Sequence, residues 1–473
     1  MENGSERTMR IDLIFPAITF CGFNSFGRPK SQDANFMQHG LASISAYLKS
    51  QGHAVGMIDL RKLEGWGHFE RVVRQSDATV FGISTMSVDY GISERAAALI
   101  KKLKPSSLTV IGGVHPTVAS DEVLENTDFD YVITKEGEIS LHRLLTSLER
   151  NERPMRLIHG ESVDVENLPW VDRDVFDYKN SEGKNPLFSH MKPPFVSIVT
   201  SRGCPYRCRF CQPAERMVFG NKVKTRPVDD VINELVHLRE KYQFNSFLIH
   251  DDLFILKPNY IETFVAKYRE HGFTQRFACQ ARADIIVNLE SRIKMLADAG
   301  LDCLMIGFES GSQRMLDFID KGITIEQSRK AVEICKKYNI KIYANVMFGL
   351  PTETKADMDA TVKFIDWMKP DYVSPAIFTP YRGSYLYDYC KENNLLMPFS
   401  HERYRRNPLT GAKVKGVNTW LVNYEIFKCT PSGFTYMLIS KFFGSRVADF
   451  FARVKRILTS FKSRRKTNWQ SPQ

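Results

Sequence analysis

Val196-Ser-Ile-Val-Thr200-Ser-Arg-Gly-Cys204-Pro-Tyr-Arg-Cys208-Arg-Phe-Cys211 is the stretch on which the fold turns. Val196–Thr200 reads as a short buried strand, apolar and bounded by turn residues. Three cysteines follow it directly at the spacing C-x3-C-x2-C. Thiolates are soft ligands suited to iron–sulfur clusters, and so compact a loop can turn three sulfurs toward one cluster. Three ligands for the four irons of a [4Fe–4S] cluster leave one iron open, much as catalytic metal sites keep a vacant position. A structural zinc site usually wants four N or S ligands. His190 and Cys279 are the available partners, and neither stands at a zinc-ribbon spacing.

Downstream, apolar runs at Ser246–Ile249, Phe277–Gln280, Cys303–Phe308, Ile342–Phe348 and Tyr372–Phe378 read as further strands. Helical patterns fall between them. Val228, Val231, Ile232 and Leu235 form one stripe, and Thr324 with Gln327 announces Ile325–Tyr338 as a capping box. Six β/α units fit a partial barrel better than a closed eight-unit one, and such barrels work from the carboxyl ends of their strands. Upstream, strands are expected at Ile11–Phe15, Val55–Leu60, Thr79–Ser84, Leu108–Gly112 and Tyr131–Thr134, with helices at Leu41–Gln51, Phe69–Gln75, Ser93–Leu103 and Ser120–Asn126. That alternation predicts an α/β domain, a doubly wound parallel sheet with its ligand beyond the strand ends. Between residues 151 and 190, Pro154, Pro169, Asp172, Asp174 and Gly183 replace the periodicity with turn chemistry. The expected organisation is a front domain at residues 8–150, a linker at 151–190, a barrel at 191–395 and an extension at 396–473.

A cysteine triplet after the first strand of a β/α partial barrel resembles the radical S-adenosylmethionine (SAM) superfamily. The resemblance implies that Cys204, Cys208 and Cys211 hold a [4Fe–4S] cluster whose open iron is chelated by SAM. One electron then cleaves SAM to methionine and a 5′-deoxyadenosyl radical, which abstracts hydrogen from an unactivated carbon. Other strand ends are similar residue by residue. Asp251 and Asp252, in His250-Asp-Asp-Leu-Phe254, stand where the family has a Gly-Gly-Glu stretch receiving the amino group of SAM; the plainer reading is a helix cap. Arg282 would contact the carboxylate or ribose of SAM, and a surface ion pair is its rival. Glu309 would meet the ribose or amino group, and Lys321 the carboxylate unless it is an ordinary exposed lysine. Gly349-Leu-Pro351 resembles the segment whose backbone cradles adenine, with Gly349 permitting close approach and Pro351 stiffening the turn.

A doubly wound domain ahead of such a barrel resembles the cobalamin-binding subfamily, over residues 8–390. The signature D-x-H-x-x-G, whose histidine ligates cobalt, is absent, as it is in many members. The strand ends supply Thr85, Ser87, Gly112, Gly113, Gly137 and Glu138 as cobalamin-side candidates, with His115 as a corrin contact or a loop-ordering residue. The implied reaction is methyl transfer from cobalamin to an unactivated carbon of a small-molecule or lipid-like substrate, with an external one-electron donor such as flavodoxin or ferredoxin. An oxidative cyclase or rearrangement enzyme of the same subfamily is the alternative. Outside enzymology, the chain would be an iron–sulfur or corrinoid sensor without turnover. A methylthiotransferase would usually bring a second set of cysteines, and the front domain has only Cys21.

Composition is that of a chain with buried cores, 43% hydrophobic and 25% charged over 473 residues. The net charge of +11 is concentrated near the end, where residues 441–466 carry nine basic side chains against Asp449 alone. Binding of nucleic acid by the whole surface is therefore not expected. Phe434–Phe461 interleaves aromatic and aliphatic residues with those bases. It reads either as a helix docked on the barrel or as an amphipathic helix in peripheral contact with an anionic membrane. Trp420, Tyr424 and Phe427 are expected over the barrel mouth. MENGSERTMR lacks the apolar run of a secretion signal, and an odd cysteine count of nine suits thiols rather than disulfides; the expected location is cytoplasmic. An open-iron cluster further predicts oxygen sensitivity.

Overall fold

The computed structural model describes residues 9–16, 37–178, 190–211, 214–398, 400–404 and 411–430. Cys21 and the basic stretch Phe434–Phe461 lie outside them.

The front domain is built on β1 (Arg10–Phe15), β2 (Ala54–Asp59), β3 (Val80–Ser84), β4 (Leu108–Gly112), β5 (Tyr131–Thr134) and β6 (Leu157–His159). All pair in parallel in the order β2-β1-β3-β4-β5-β6. Alternate residues feed two cores, as the two-residue period of a strand requires. Ile11, Leu13, Val80, Val110 and Ile133 pack toward helices His39–Ser50 and Glu138–Glu149. Ile14, Phe81, Ile83, Ile111 and Val132 pack toward Trp66–Gln75 and Tyr90–Leu103. The strand order reverses between β1 and β3, which opens a crevice at their carboxyl ends. β6 extends the sheet into the stretch read as linker. Three residues are too few to show a period, so this strand is defined by its pairing with β5.

The second sheet is also six-stranded and parallel: β7 (Phe195–Ile198), β10 (Ser246–Ile249), β11 (Arg276–Ala281), β12 (Leu301–Glu309), β13 (Lys341–Phe348) and β14 (Tyr372–Ile377). Between the first two lies a small antiparallel pair, β8 (Ser201–Arg202) and β9 (Lys224–Thr225). The order never reverses, running from β7 to β14 in sequence. With right-handed crossovers, a sequential sheet carries its helices on one face and curls into an open barrel. Phe247 and Phe277 point outward, stacked with ring centroids 5.2 Å apart, against Phe264 and Tyr268 of helix Pro258–Glu270. Leu248, Ala278 and Cys303 point inward with Met191 and Phe195 and plug the barrel's lower end. The capping box at Thr324 and Gln327 is formed in both directions.

Helix Thr419–Cys429 buries Val422, Glu425 and Ile426 against the barrel's outer layer. Trp420 and Tyr424, expected at the mouth, instead stack on each other at 5.6 Å on the exposed side of this helix. Among the described residues no helix is long and apolar enough to cross a membrane.

Because Phe277 is fully buried between sheet and helix, Phe277→Ala should destabilise the barrel by about 3–5 kcal/mol. The check is a urea titration followed by tryptophan fluorescence, in which the barrel transition should move to lower denaturant.

Candidate functional site

The cysteine loop leaves the barrel immediately after β8. Gly203 turns the chain with φ +99°, and a Cβ there would meet the Lys222 carbonyl at 2.5 Å and Phe219 at 3.0 Å. Only glycine makes this turn cheaply. Beyond it the loop is tied down: the Arg209 amide donates to the Ile319 carbonyl at 2.9 Å, and the Arg209 carbonyl accepts from the Leu386 amide at 3.0 Å. Cys204 and Cys208 are half-buried, Cys211 is exposed, and all three are free thiols. They open into a cavity of about 610 Å³ with Asp252, Arg282, Glu309 and Lys321 on its walls.

Apart from Lys321, which follows helix Gln313–Phe318, the charged wall groups continue the inward phase of a strand. His250 and Asp252 continue the inward row of β10, Gln280 and Arg282 that of β11, and Gly307 and Glu309 that of β12. Asp251, one residue out of phase, is buried in the wall. It accepts from the Thr200 amide at 2.6 Å and the Ser201 hydroxyl at 2.7 Å, fixing the strand end from which the cysteine loop departs. Burial raises the Asp251 carboxyl despite those donors.

Arg282 is placed against the loop. Its guanidinium lies 3.5 Å from the Tyr206 ring centroid and 3.7 Å from Cys208 Sγ, and it donates to the Lys321 carbonyl at 2.7 Å and to Asp284 at 3.0 Å. Burial pushes the Cys204 thiol up, whereas the Arg282 charge favours its thiolate. Glu309 and Lys321 form an ion pair at 2.8 Å, with Glu309 in the left-handed region at φ 64°. Gly349, at φ 78°, and Pro351 lie outside the cavity wall, which there consists of Asn345, Val346 and Met347. Above Gly349 stand Val417 and Val422.

Three thiols on one loop, with cationic and anionic groups converging on a cavity large enough for a cluster and a nucleoside, fit a [4Fe–4S] cluster with SAM. A zinc reading needs another ligand, and neither sequence candidate reaches the cavity. His190 pairs with Asp302 at 2.7 Å at the opposite end of the strands, and Cys279 is wholly buried in β11.

A second cavity of about 360 Å³ lies between the carboxyl ends of the front sheet and the barrel. Its floor contains Ser84, Gly112, Gly113 and Gly137, and its barrel-side wall contains Arg202, Phe219, His250 and Asp252. At Gly113, φ is +100° and a Cβ would fall 2.9 Å from the Thr85 carbonyl, so the bare backbone is required. A floor in which Gly112, Gly113 and Gly137 present bare backbone fits a broad planar cofactor such as a corrin. Glu138 lines this cavity too, whereas Thr85, Ser87 and His115 do not. Thr85 bonds Ser93 at 2.8 Å, and Ser87 bonds His115 at 3.2 Å, in the layer behind the Gly113 turn.

Two groups without a sequence signal prove central. Arg202 donates to Glu136 at 3.0 Å and to Glu138 at 2.9 Å, while Lys224 donates to Glu136 at 2.6 Å. This network joins the floor of one cavity to the loop of the other. Interdomain ion pairs leave no periodic trace in a sequence, although the acidic Glu136-Gly-Glu138 at a strand end is a local hint.

Fold and site together define a two-domain enzyme in which a cluster-holding partial barrel faces a cofactor-binding doubly wound domain. The sequence profile of the radical SAM superfamily matches residues 198–365, and that of the B12 binding domain matches residues 35–145. The chain belongs to the radical SAM superfamily, in its cobalamin-binding subfamily, and its cofactors are a [4Fe–4S] cluster, SAM and cobalamin. It is 28% identical over 386 residues to the uncharacterized methyltransferase PH0819 of Pyrococcus horikoshii, covering 77% of this chain and 81% of that one. It is 25% identical to the anaerobic magnesium-protoporphyrin IX monomethyl ester cyclase of Rubrivivax gelatinosus, covering 73% of this chain and 65% of the cyclase. In fold it is similar to the radical SAM methyltransferase TsrM of Kitasatospora setae, solved with cobalamin and a [4Fe–4S] cluster. There the TM-score is 0.62 at 16% identity, covering 84% of this chain and 85% of TsrM.

Beside Gly349, burial pushes the Glu353 carboxyl up to about 8, although the Leu350 amide donates to it at 3.2 Å. A raised carboxyl contributes stability that is full below its unfolded value and lost as pH rises through the folded one. Wild type should therefore lose melting temperature between pH 4.5 and about 8, and Glu353→Gln should flatten that slope. Thermal melts across this range read the effect.

Proposed function

We propose that this chain is a cobalamin-dependent methyltransferase acting on an unactivated carbon of a small-molecule or lipid-like substrate. The observation that carries the reading is the shared wall: His250 and Asp252 line both cavities. A substrate held there can be reached from the cluster side and from the corrin side without leaving the site. When bound, the cluster with SAM supplies a hydrogen-abstracting radical, and cobalamin supplies the methyl group.

The chain's own residues bind and position. Asp252, whose side chain stands at the wall of the cluster cavity, is an acceptor for the SAM ammonium. Lys321 and Glu309, already paired, offer one cation and one anion to its carboxylate and ribose. Arg282 packs on Tyr206 and holds the loop at Cys208, so its role is to orient the cluster ligands as well as to supply charge. Asp251 fixes the root of the loop from behind. Gly349 and Pro351 shape the strand end beside the adenine region. Gly112, Gly113, Gly137 and Glu138 form the floor under the corrin. Thr85, Ser87 and His115 support that floor from below. Electrons come from an external donor of the flavodoxin or ferredoxin class.

The test is anaerobic reconstitution with iron, sulfide and hydroxocobalamin, then dithionite, SAM and product analysis. Wild type should retain corrinoid and release 5′-deoxyadenosine. The Cys204→Ala/Cys208→Ala/Cys211→Ala triple variant should do neither the cluster assembly nor the cleavage. SAM cleavage without corrinoid retention would remove methyl transfer from the reading, and a product lacking a new methyl group would favour the cyclase alternative. Arg202→Ala, which removes both ion pairs to the cavity floor, should weaken corrinoid retention about tenfold. Gel filtration with absorbance at the corrin band measures it, and iron content should stay unchanged.

A further inference from the structure

Behind the Gly113 turn lies a group of side chains that line neither cavity. His115 and Glu122 come from the front domain, and His401 from the segment after the barrel. One ligand atom from each lies within 4.8 Å of the other two, and among the described residues no other trio of His, Cys, Asp or Glu is gathered so closely. His115 is 1% exposed, and its Nε2 makes no hydrogen bond. Its Nδ1 is engaged by the Ser87 hydroxyl at 3.2 Å, so Nε2 is the atom aimed at Glu122, 3.9 Å away. A buried imidazole nitrogen without a partner is costly in a folded protein unless something binds it.

We propose that His115, Glu122 and His401 form a binding site for a zinc-type divalent cation that staples the front domain to the segment following the barrel. Two imidazoles and one carboxylate suit a borderline cation, with a fourth position left to water. The surroundings are those of ligands fixed in advance. The Tyr90 ring packs at 4.3 Å on His115 and at 5.0 Å on His401. Arg382 bonds Glu122 Oε2 at 2.6 Å and Asp121 at 2.8 Å. That leaves Glu122 Oε1, 2.8 Å from His401 Nε2, as the coordinating oxygen, with Arg382 orienting the carboxylate from outside. Among the described residues, Arg382 is the cation facing the group, and Glu94, Asp121, Glu122 and Glu125 are the anions around it.

The test uses the full-length protein carrying its iron–sulfur cluster and corrinoid. It is incubated anaerobically with zinc, desalted, and analysed for zinc, iron and cobalt by plasma mass spectrometry. Wild type should retain one zinc per chain with iron and cobalt unchanged, and its melting temperature should rise. His401→Ala, at a half-exposed position, and His115→Gln should each lower zinc affinity at least about tenfold, keep their iron, and lose the zinc-dependent rise in melting temperature. Should His115→Gln fail to fold, His401→Ala alone decides. No stoichiometric zinc on wild type would leave the three residues as a hydrogen-bonded contact and overturn the proposal. Equal zinc retention by His401→Ala would assign the metal elsewhere and overturn it as well.

Discussion

Arg202 is the side chain on which the two halves of the site depend. It sits one residue before the Gly203 turn that launches the cysteine loop, and it is bound at once to Glu136, Glu138 and Ser43 of the front domain. Burial opposes its charge, but the two carboxylates hold the guanidinium firmly protonated. Buried ion pairs add little net stability, because desolvation offsets most of the Coulomb gain. Their value lies in geometry: removing one partner of such a pair costs about 3–5 kcal/mol, so the docked arrangement is strongly preferred over its neighbours. The floor of the front cavity and the cysteine loop are thereby held in one register.

The second constraint is the two-residue period of a parallel strand. Within the barrel it sorts each strand end into one residue that faces the cavity and one that faces the helices. Asp252 and Asp251 differ by a single position, and that position alone makes one a cavity wall and the other a buried brace for Thr200 and Ser201. The same phase brings Arg282, Gly307 and Glu309 onto the inner face from neighbouring strands, in agreement with the pairing of Gln280 with Met305 and Gly307 with Asn345. Both sheets point their carboxyl ends at the common space, which is why two cofactor cavities can share His250 and Asp252.

The features legible in sequence are those with a local cause. Parallel strands covered on both sides are continuous apolar runs, so eleven of the twelve strands of the two sheets stand out, and only the three-residue β6 does not. The cysteine triplet is legible because its chemistry is confined to eight residues. Side-chain direction at a strand end is harder to read, because the period lapses where the loop begins. Thr85, Ser87 and His115 follow strand ends as Gly113 does, yet they pack behind the turn with Tyr90 and Ser93. Gly349 and Pro351 end their strand in the expected place, but β13 contributes its wall through Asn345, Val346 and Met347. The Arg202 network depends on contacts more than sixty residues apart, and no window of sequence contains it.

Gly307 shows how these constraints meet at one residue. A Cβ there would come 3.0 Å from Lys321 Nζ and closer still to the Glu309 carboxylate. The missing side chain therefore makes room for the ion pair on the cavity wall. Glu309 itself adopts φ 64°, a conformation that costs a non-glycine residue about 1–3 kcal/mol. At the next register step β12 skips a residue against β13, Gly307 pairing with Asn345 and Glu309 with Val346. The irregularity turns the Glu309 carboxylate across its own strand end toward Lys321, where a regular strand would carry it upward and away. Backbone strain and a missing Cβ thus place a matched anion and cation side by side beside the cluster loop. A zwitterionic ligand bearing an ammonium and a carboxylate meets there complementary charges whose mutual pairing has already lowered the cost of keeping them desolvated.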